Sequence, residues 1–187
     1  MLRSLSLPWA IDVLLFVSCM LSFSWGIRSF FAVSGKVERG MRMISALGAA
    51  LGAVHLIALV FFSRPGEARF WIASALYALS LALFWMSVSE NRRRPLSLAY
   101  SLDSPAHLVT TGPYRWVRHP FYTSYLLAWT AGCVASGQML LVVTVLVMMV
   151  LYWRAAALEE HKFDDSPLAH EYAAYRNATG RFLPRLF

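Results

Sequence analysis

Residues 139–158 read MLLVVTVLVMMVLYWRAAAL, twenty residues interrupted by one charge, Arg154. A bilayer core about 30 Å thick takes about 20 predominantly apolar residues in helical form, so this stretch predicts a membrane-crossing helix. Working outward, the break at Ser136-Gly137 separates it from a shorter apolar run, Pro120–Ala135. So short a break predicts a tight antiparallel helical hairpin. Three further runs precede it, near Trp9–Phe31, Met41–Phe62 and Phe70–Val88, punctuated by Ser34-Gly35 and Arg64-Pro65-Gly66. The fold class expected is therefore all-α, a bundle of five transmembrane helices.

Composition agrees. The chain of 187 residues is 58% hydrophobic and only 14% charged, too apolar for an ordinary soluble domain. Its net charge of +7 does not form a nucleic-acid groove, because the basic residues sit at the ends of the apolar runs. With five spans, one side holds Lys36, Arg39, Arg42, Arg92, Arg93, Arg94, Arg115, Arg118, Arg154, Lys162, Arg176, Arg181 and Arg185. The other holds Arg3, Arg64 and Arg69. The positive-inside bias then places the C-terminus and the basic face in the cytoplasm. The first run has no small-x-small cleavage signal and reads as an uncleaved helix.

Two polar pieces share the basic face: the connection Ser89–His119 and the tail Glu159–Phe187. In the tail, Ser166-Pro167 reads as a helix start and Gly180 as its stop, with Tyr172, Tyr175 and Arg176 on one helical face. In the connection, residues 112–122 read Gly-Pro-Tyr-Arg-Trp-Val-Arg-His-Pro-Phe-Tyr. His119-Pro120 opens the fourth run, with the histidine at the cap and proline at the first helical position. The first amides of that helix, backed by Arg115 and Arg118, suit an anion; both arginines also suit lipid phosphates. Glu159-Glu160 closes the last run. Adjacent helical residues point about 100° apart, so one is expected at a pocket and the other at water.

Other polar residues read more simply. Asp12 is expected at the membrane interface, His55 as a satisfied buried histidine, and Gly48 and Gly52 as a close helix contact. Cys19 and Cys133 lie in apolar runs with no partner at metal-ligand spacing, and position 174 is alanine where a second zincin histidine would stand. Neither a metal nor nucleic acid is expected, and no glycine-rich nucleotide loop is present.

The block His107-Leu108-Val109-Thr110-Thr111-Gly112-Pro113-Tyr114, followed by Arg118-His119-Pro120-x-Tyr122, resembles the cofactor signature of the isoprenylcysteine carboxyl methyltransferase family and its bacterial relatives. The tail is similar too: Glu159-Glu160, Tyr172-x-x-Tyr175 and Arg181-Phe182-Leu183-Pro184. Ser124 stands where a glycine is common in the family. The resemblance covers about residues 90–187; residues 1–88 match only as generic membrane helices.

The resemblance implies S-adenosylmethionine bound among the last two membrane helices, the loop before them and the tail, with a lipophilic acceptor entering from the bilayer. It implies a cytoplasmic cofactor-binding loop and C-terminal helix within residues 89–187, after three helices in residues 1–88. By match, His107, Leu108, Val109, Gly112, Tyr114, His119, Tyr122, Glu159 and Glu160 line the cofactor site. A carboxylate acceptor of the isoprenylcysteine type, the family's best-known substrate, needs positioning by Arg118 or Arg181 rather than deprotonation. A phospholipid amine or a thiol needs a base, for which a glutamate or histidine serves. A nicotinamide-dependent membrane reductase and a non-enzymatic membrane subunit are the competing classes.

Overall fold

The computed structural model describes residues 6–30, 39–63, 66–92 and 107–185. Helix α1 spans Leu7–Trp25 and runs on into a π-helical turn, Gly26–Phe30. Helix α2, Arg39–Ile57, ends in a second such turn, Ala58–Phe62. Helix α3 is Glu67–Asn91. A single 3-10 turn, Gly112–Arg115, leads to α4, Pro120–Ser136. A second 3-10 turn, Met139–Leu141, opens α5, Val142–Asp164, and α6 is Ala169–Ala178.

Local chemistry sets the helix ends. The Ser6 hydroxyl accepts from the Trp9 amide at 3.4 Å, capping α1, and Pro120 occupies the first position of α4. Gly137, at φ +66°, ends α4 by turning its amide back to the Cys133 carbonyl at 3.0 Å.

The helices run alternately up and down. The Trp9 indole donates to the Leu59 carbonyl at 2.9 Å, and the Gln138 amide to the Phe62 carbonyl at 2.9 Å, gathering the start of α1, the end of α2 and the turn between α4 and α5 at one pole. Asn91, His119 and the Glu159-Glu160 pair lie at the other. Helix α4 is the centre of the bundle, with ten of its 17 residues buried. Small side chains at Ser124, Ala128, Ala131, Gly132 and Ala135 let its neighbours approach. The Ser80 hydroxyl of α3 reaches the Ser124 carbonyl at 2.7 Å, and the His55 ring lies so close that a Cβ at Gly132 would stand 2.4 Å from its Nδ1.

All-α architecture in a membrane bundle is as expected, with one correction. Four helices among the described residues are long and apolar enough to cross a bilayer: Leu7–Arg28, Arg39–Phe62, Glu67–Asn91 and Met139–Asp164. The anticipated fifth forms as α4, but its 17 residues reach only about 25 Å at 1.5 Å each. Surrounded by protein, α4 does not have to match the hydrocarbon thickness. Lipid-facing surface falls to the outer helices, where Leu14, Leu21, Phe61, Trp71, Leu79, Leu146 and Val150 are exposed.

Smaller corrections have similar causes. Asp12 is buried rather than interfacial, accepting from the Ser74 hydroxyl at 3.4 Å. His55 meets Thr144 Oγ1 at 2.6 Å, but its Nδ1 has no hydrogen-bond partner among the described residues. Gly48 and Gly52 face the side chains of Met148, Met20 and Trp129, not the backbone of another helix. The last membrane helix continues past Leu158 to Asp164, because Phe163 stacks on Tyr172 with centroids 4.4 Å apart. Ser166 then donates to the Phe163 carbonyl at 2.8 Å and accepts from the Leu168 amide at 3.1 Å, so Ser166-Pro167 forms the turn and α6 begins at Ala169.

Arg39, Arg92, Arg115, Lys162 and Arg176 cluster at the pole of the glutamate pair, and Arg69 lies near Gly137 at the other. Arg3, Ser34-Gly35, Lys36, Arg64-Pro65, Arg93 and Arg94 lie outside the described residues. This polarity has a direct test. In a Cys19→Ser, Cys133→Ser background, an impermeant thiol reagent applied to intact cells should label Met139→Cys and leave Asn177→Cys unlabelled until the membrane is opened. Equal labelling of both would refute the orientation.

Candidate active site

The site begins with two backbone strips that zip together. The Arg118 amide donates to the Gly180 carbonyl at 2.8 Å, the His119 amide to the Arg181 carbonyl at 3.1 Å, and the Gly180 amide to the Trp116 carbonyl at 3.3 Å. The Thr123 hydroxyl reaches the Phe182 carbonyl at 2.9 Å, and the Tyr175 hydroxyl the Tyr114 carbonyl at 2.7 Å. Glycine is required at 180 because the chain folds back on it: a Cβ there would stand 1.7 Å from the Leu183 carbonyl oxygen. The loop before α4 and the tail after α5 thus form one lid over the ends of both helices.

Under that lid lies the Glu160 carboxylate, only 4% exposed. One oxygen accepts from Arg118 Nε at 3.0 Å, Arg181 Nε at 3.0 Å and His119 Nε2 at 3.1 Å. The other accepts from Arg181 Nη2 at 2.7 Å. Arg118 is fixed further by the carbonyls of Arg176 and Thr179, and the Arg181 guanidinium lies over the Trp153 ring at 4.3 Å. Charge-assisted bonds of this kind are about twice as strong as neutral ones. They replace the hydration that the buried carboxylate has lost.

His119 joins the two glutamates. Its Nε2 faces Glu160, and its Nδ1 lies 3.1 Å from Glu159 Oε2. A neutral imidazole carries one N–H, so two carboxylate partners call for the doubly protonated ring. Burial alone would lower the His119 pKa; the hydrogen bonds and charges of Glu159 and Glu160 outweigh it and raise the pKa above the ordinary value of 6.5.

Glu159, one helical step away, points elsewhere. It accepts from the Tyr122 hydroxyl at 2.7 Å and lines a cavity of about 420 Å³. Tyr114, His119, Tyr122, Tyr125 and Tyr152 line the same end. The remaining wall is mostly apolar and comes mainly from α1 and α2, with Pro120, Phe121 and Trp129 of α4. Tyr122 and Tyr152 stack at 5.2 Å, and Tyr152 accepts from the Trp129 indole at 3.3 Å. A concave, apolar space with a few converging polar groups is the usual form of a small-molecule site.

Of the residues singled out in the sequence, Tyr114, His119, Tyr122 and Glu159 therefore meet at this cavity. Glu160, Arg118 and Arg181 form the adjoining ion cluster and do not line it. Neither member of the pair is fully exposed: Glu160 is buried and Glu159 is half-buried. His107, Leu108 and Val109 are partly exposed and stand apart from the cavity. Gly112, at φ +58°, packs on the Glu90 carboxylate, which accepts from Thr111. Two contributors escaped the sequence reading. Asn91 bonds the Tyr114 hydroxyl at 2.7 Å, and α1 and α2, read only as generic helices, supply much of the wall.

The family model for phospholipid methyltransferase matches residues 68–165, the stretch from α3 to the end of α5 that carries His119 and both glutamates. The chain belongs to the phospholipid methyltransferase family. That family is part of the isoprenylcysteine carboxyl methyltransferase-like group of membrane methyltransferases, in keeping with the resemblance of the sequence. The chain is also similar to the cobalt-zinc-cadmium resistance protein CzcN of Cupriavidus metallidurans, 33% identical over 132 residues that cover 70% of this chain and 59% of the relative. The nickel-cobalt-cadmium resistance protein NccN of Alcaligenes xylosoxydans xylosoxydans is 28% identical over 137 residues, covering 72% and 61%. The chain spans about three fifths of the length of these relatives.

The ion cluster predicts two solution properties. Glu160→Gln leaves three cationic groups around a neutral amide and should destabilise the protein by about 3–5 kcal/mol in detergent denaturation; a change below about 1 kcal/mol would contradict the cluster's role. Because the folded pKa of His119 is raised, its contribution is complete below the unfolded value of 6.5 and is lost as pH rises through the folded value. The melting temperature should therefore fall across that interval, and His119→Gln should flatten the fall. An identical slope in the variant would refute the assignment.

Proposed function

We propose that this protein is an integral-membrane methyltransferase that uses S-adenosylmethionine to methylate an amine on a lipophilic acceptor. One observation carries the reading: Glu159 is turned into an apolar, tyrosine-rimmed cavity while both nearby arginines are engaged by Glu160. Family membership supports the reaction type.

The residues fit the cofactor. Glu159 offers a fixed anion for an ammonium group, held by Tyr122 on one side and His119 on the other. The faces of Tyr122, Tyr125 and Tyr152 suit a sulfonium or a methylated amine, which aromatic rings attract electrostatically. When bound, S-adenosylmethionine supplies an electrophilic methyl group on a positively charged sulfur. The chain's contribution is to hold donor and acceptor in line and to exclude water.

The cavity also discriminates among acceptors. A carboxylate placed there would be buried without a free cation, since Arg118 and Arg181 both face Glu160; an unpaired buried charge is costly. An amine meets the opposite situation. Burial disfavours its charged form, so the amine enters the apolar part of the chamber neutral, its proton left to water at the membrane surface, with the nucleophilic lone pair free. A thiol loses on the same ground, because burial disfavours the thiolate. The amine class therefore fits better than the carboxylate favoured by the resemblance alone.

Labelled S-adenosylmethionine, purified protein and vesicles containing either phosphatidylethanolamine or a farnesylcysteine analogue separate these readings. Base-stable label in the phospholipid amine is the expected result. Label confined to a base-labile methyl ester would overturn the amine assignment, and no transfer to any lipophilic amine, acid or thiol would overturn the methyltransferase reading.

A further inference from the structure

Asn91, the last residue of α3, is fully buried and touches the rim of the cavity through one atom. Its Nδ2 donates twice, to the Ser87 carbonyl at 2.7 Å and to the Tyr114 hydroxyl at 2.7 Å. The Ser87 carbonyl can only accept, so the amide nitrogen faces it, an orientation that leaves the buried Asn91 Oδ1 without a partner among the described residues. The second hydrogen of the same nitrogen then occupies a lone pair of the Tyr114 oxygen. That oxygen is a receiver toward the protein, and its own proton is left over. Among the described residues, no hydrogen bond is donated by the Tyr114 hydroxyl. Tyr114 is only 5% exposed and lines the cavity, so that proton has neither bulk water nor a described protein acceptor. A buried donor in this state is costly unless a partner arrives.

We infer that Asn91 is a positioning residue: by donating to Tyr114 it commits the Tyr114 hydroxyl to donate to a carboxylate of the ligand in the cavity. The inference rests on the methyltransferase reading, in which the amino-acid end of the donor presents both charges. Glu159 takes the ammonium, and the Tyr114 proton takes the carboxylate, whose charge the ligand's own ammonium balances; an acceptor carboxylate brings no such cation with it. Asn91 contacts no ligand; its effect is the direction of one O–H bond.

Substitution at 91 tests this without ambiguity about size. In Asn91→Asp an oxygen replaces Nδ2. Ionised, it accepts from Tyr114; protonated, its single proton goes to the Ser87 carbonyl and it still accepts from Tyr114. Either way the phenol proton turns inward and is lost to the ligand. Asn91→Leu, of similar volume, offers no acceptor, so the proton stays available. Calorimetric titration of the detergent-solubilised protein with S-adenosylhomocysteine, which has the same amino-acid end, should show affinity about tenfold weaker in Asn91→Asp and in Tyr114→Phe. It should show a change within about threefold in Asn91→Leu, and no further loss in the Asn91→Asp, Tyr114→Phe double variant. A merely structural role makes leucine at least as harmful as aspartate, with affinity following the melting temperature. That ranking, or full additivity in the double variant, overturns the inference while leaving the methyltransferase reading intact. If Asn91→Asp does not fold, Asn91→Leu against Tyr114→Phe still decides: equal losses in the two overturn the inference. Failure of the wild-type protein to bind overturns both.

Discussion

A single buried carboxylate, Glu160, holds this site together. Its two oxygens gather the neighbours Arg118 and His119, where the loop enters α4, and Arg181 from the tail, two segments far apart in the chain. Without Glu160 the two guanidinium groups would lose the carboxylate that faces them, and without them the buried carboxylate would be stranded. Neither set is stable in a desolvated place alone, so the arrangement is all or nothing. The paired backbone strips at 116–119 and 180–181 align the partners, and the ion cluster in turn fastens the strips to the membrane helices.

Helical geometry then separates two neighbouring residues into different tasks. Rotation of about 100° per residue takes Glu159 away from the cluster and into the cavity. His119 bridges the pair, so the cluster that closes the lid also orients the carboxylate that faces the ligand space. The bundle supplies the remaining condition. Small residues on α4 allow α3 to close on one side, while Gly48 and Gly52 of α2 leave room on the other. The result is one fixed anion at the end of an apolar chamber, the feature on which the proposed amine methylation rests.

Much of this was legible in the sequence, and the exceptions follow a pattern. Apolar runs interrupted at Ser136-Gly137 located the hairpin, and His119-Pro120 marked the start of α4, because both depend on local chain chemistry. The partnership of Arg118, His119, Arg181 and the glutamates was suggested by their motif. Which glutamate faces the cavity was not readable, because it depends on the rotation of α5 against α4 and the tail. Asn91 gave no signal, since an amide at a helix end is ordinary until its partner is known. The contribution of α1 and α2 was hidden for the same reason: an apolar face reads alike whether it meets lipid, another helix or a chamber. The span count missed because length was judged against lipid, whereas α4 is enclosed by protein.

The division of labour between the two glutamates is the central claim, and the affinity of Glu159→Gln for S-adenosylmethionine tests it most directly. Titration calorimetry at neutral pH, with the melting temperature of the same sample, should show affinity weaker by about 10–100-fold, as expected for losing a hydrogen bond to a charged group, at nearly unchanged stability. Wild-type affinity combined with a collapse of turnover would contradict the account, because Glu159 would then act on the acceptor's proton rather than hold the donor.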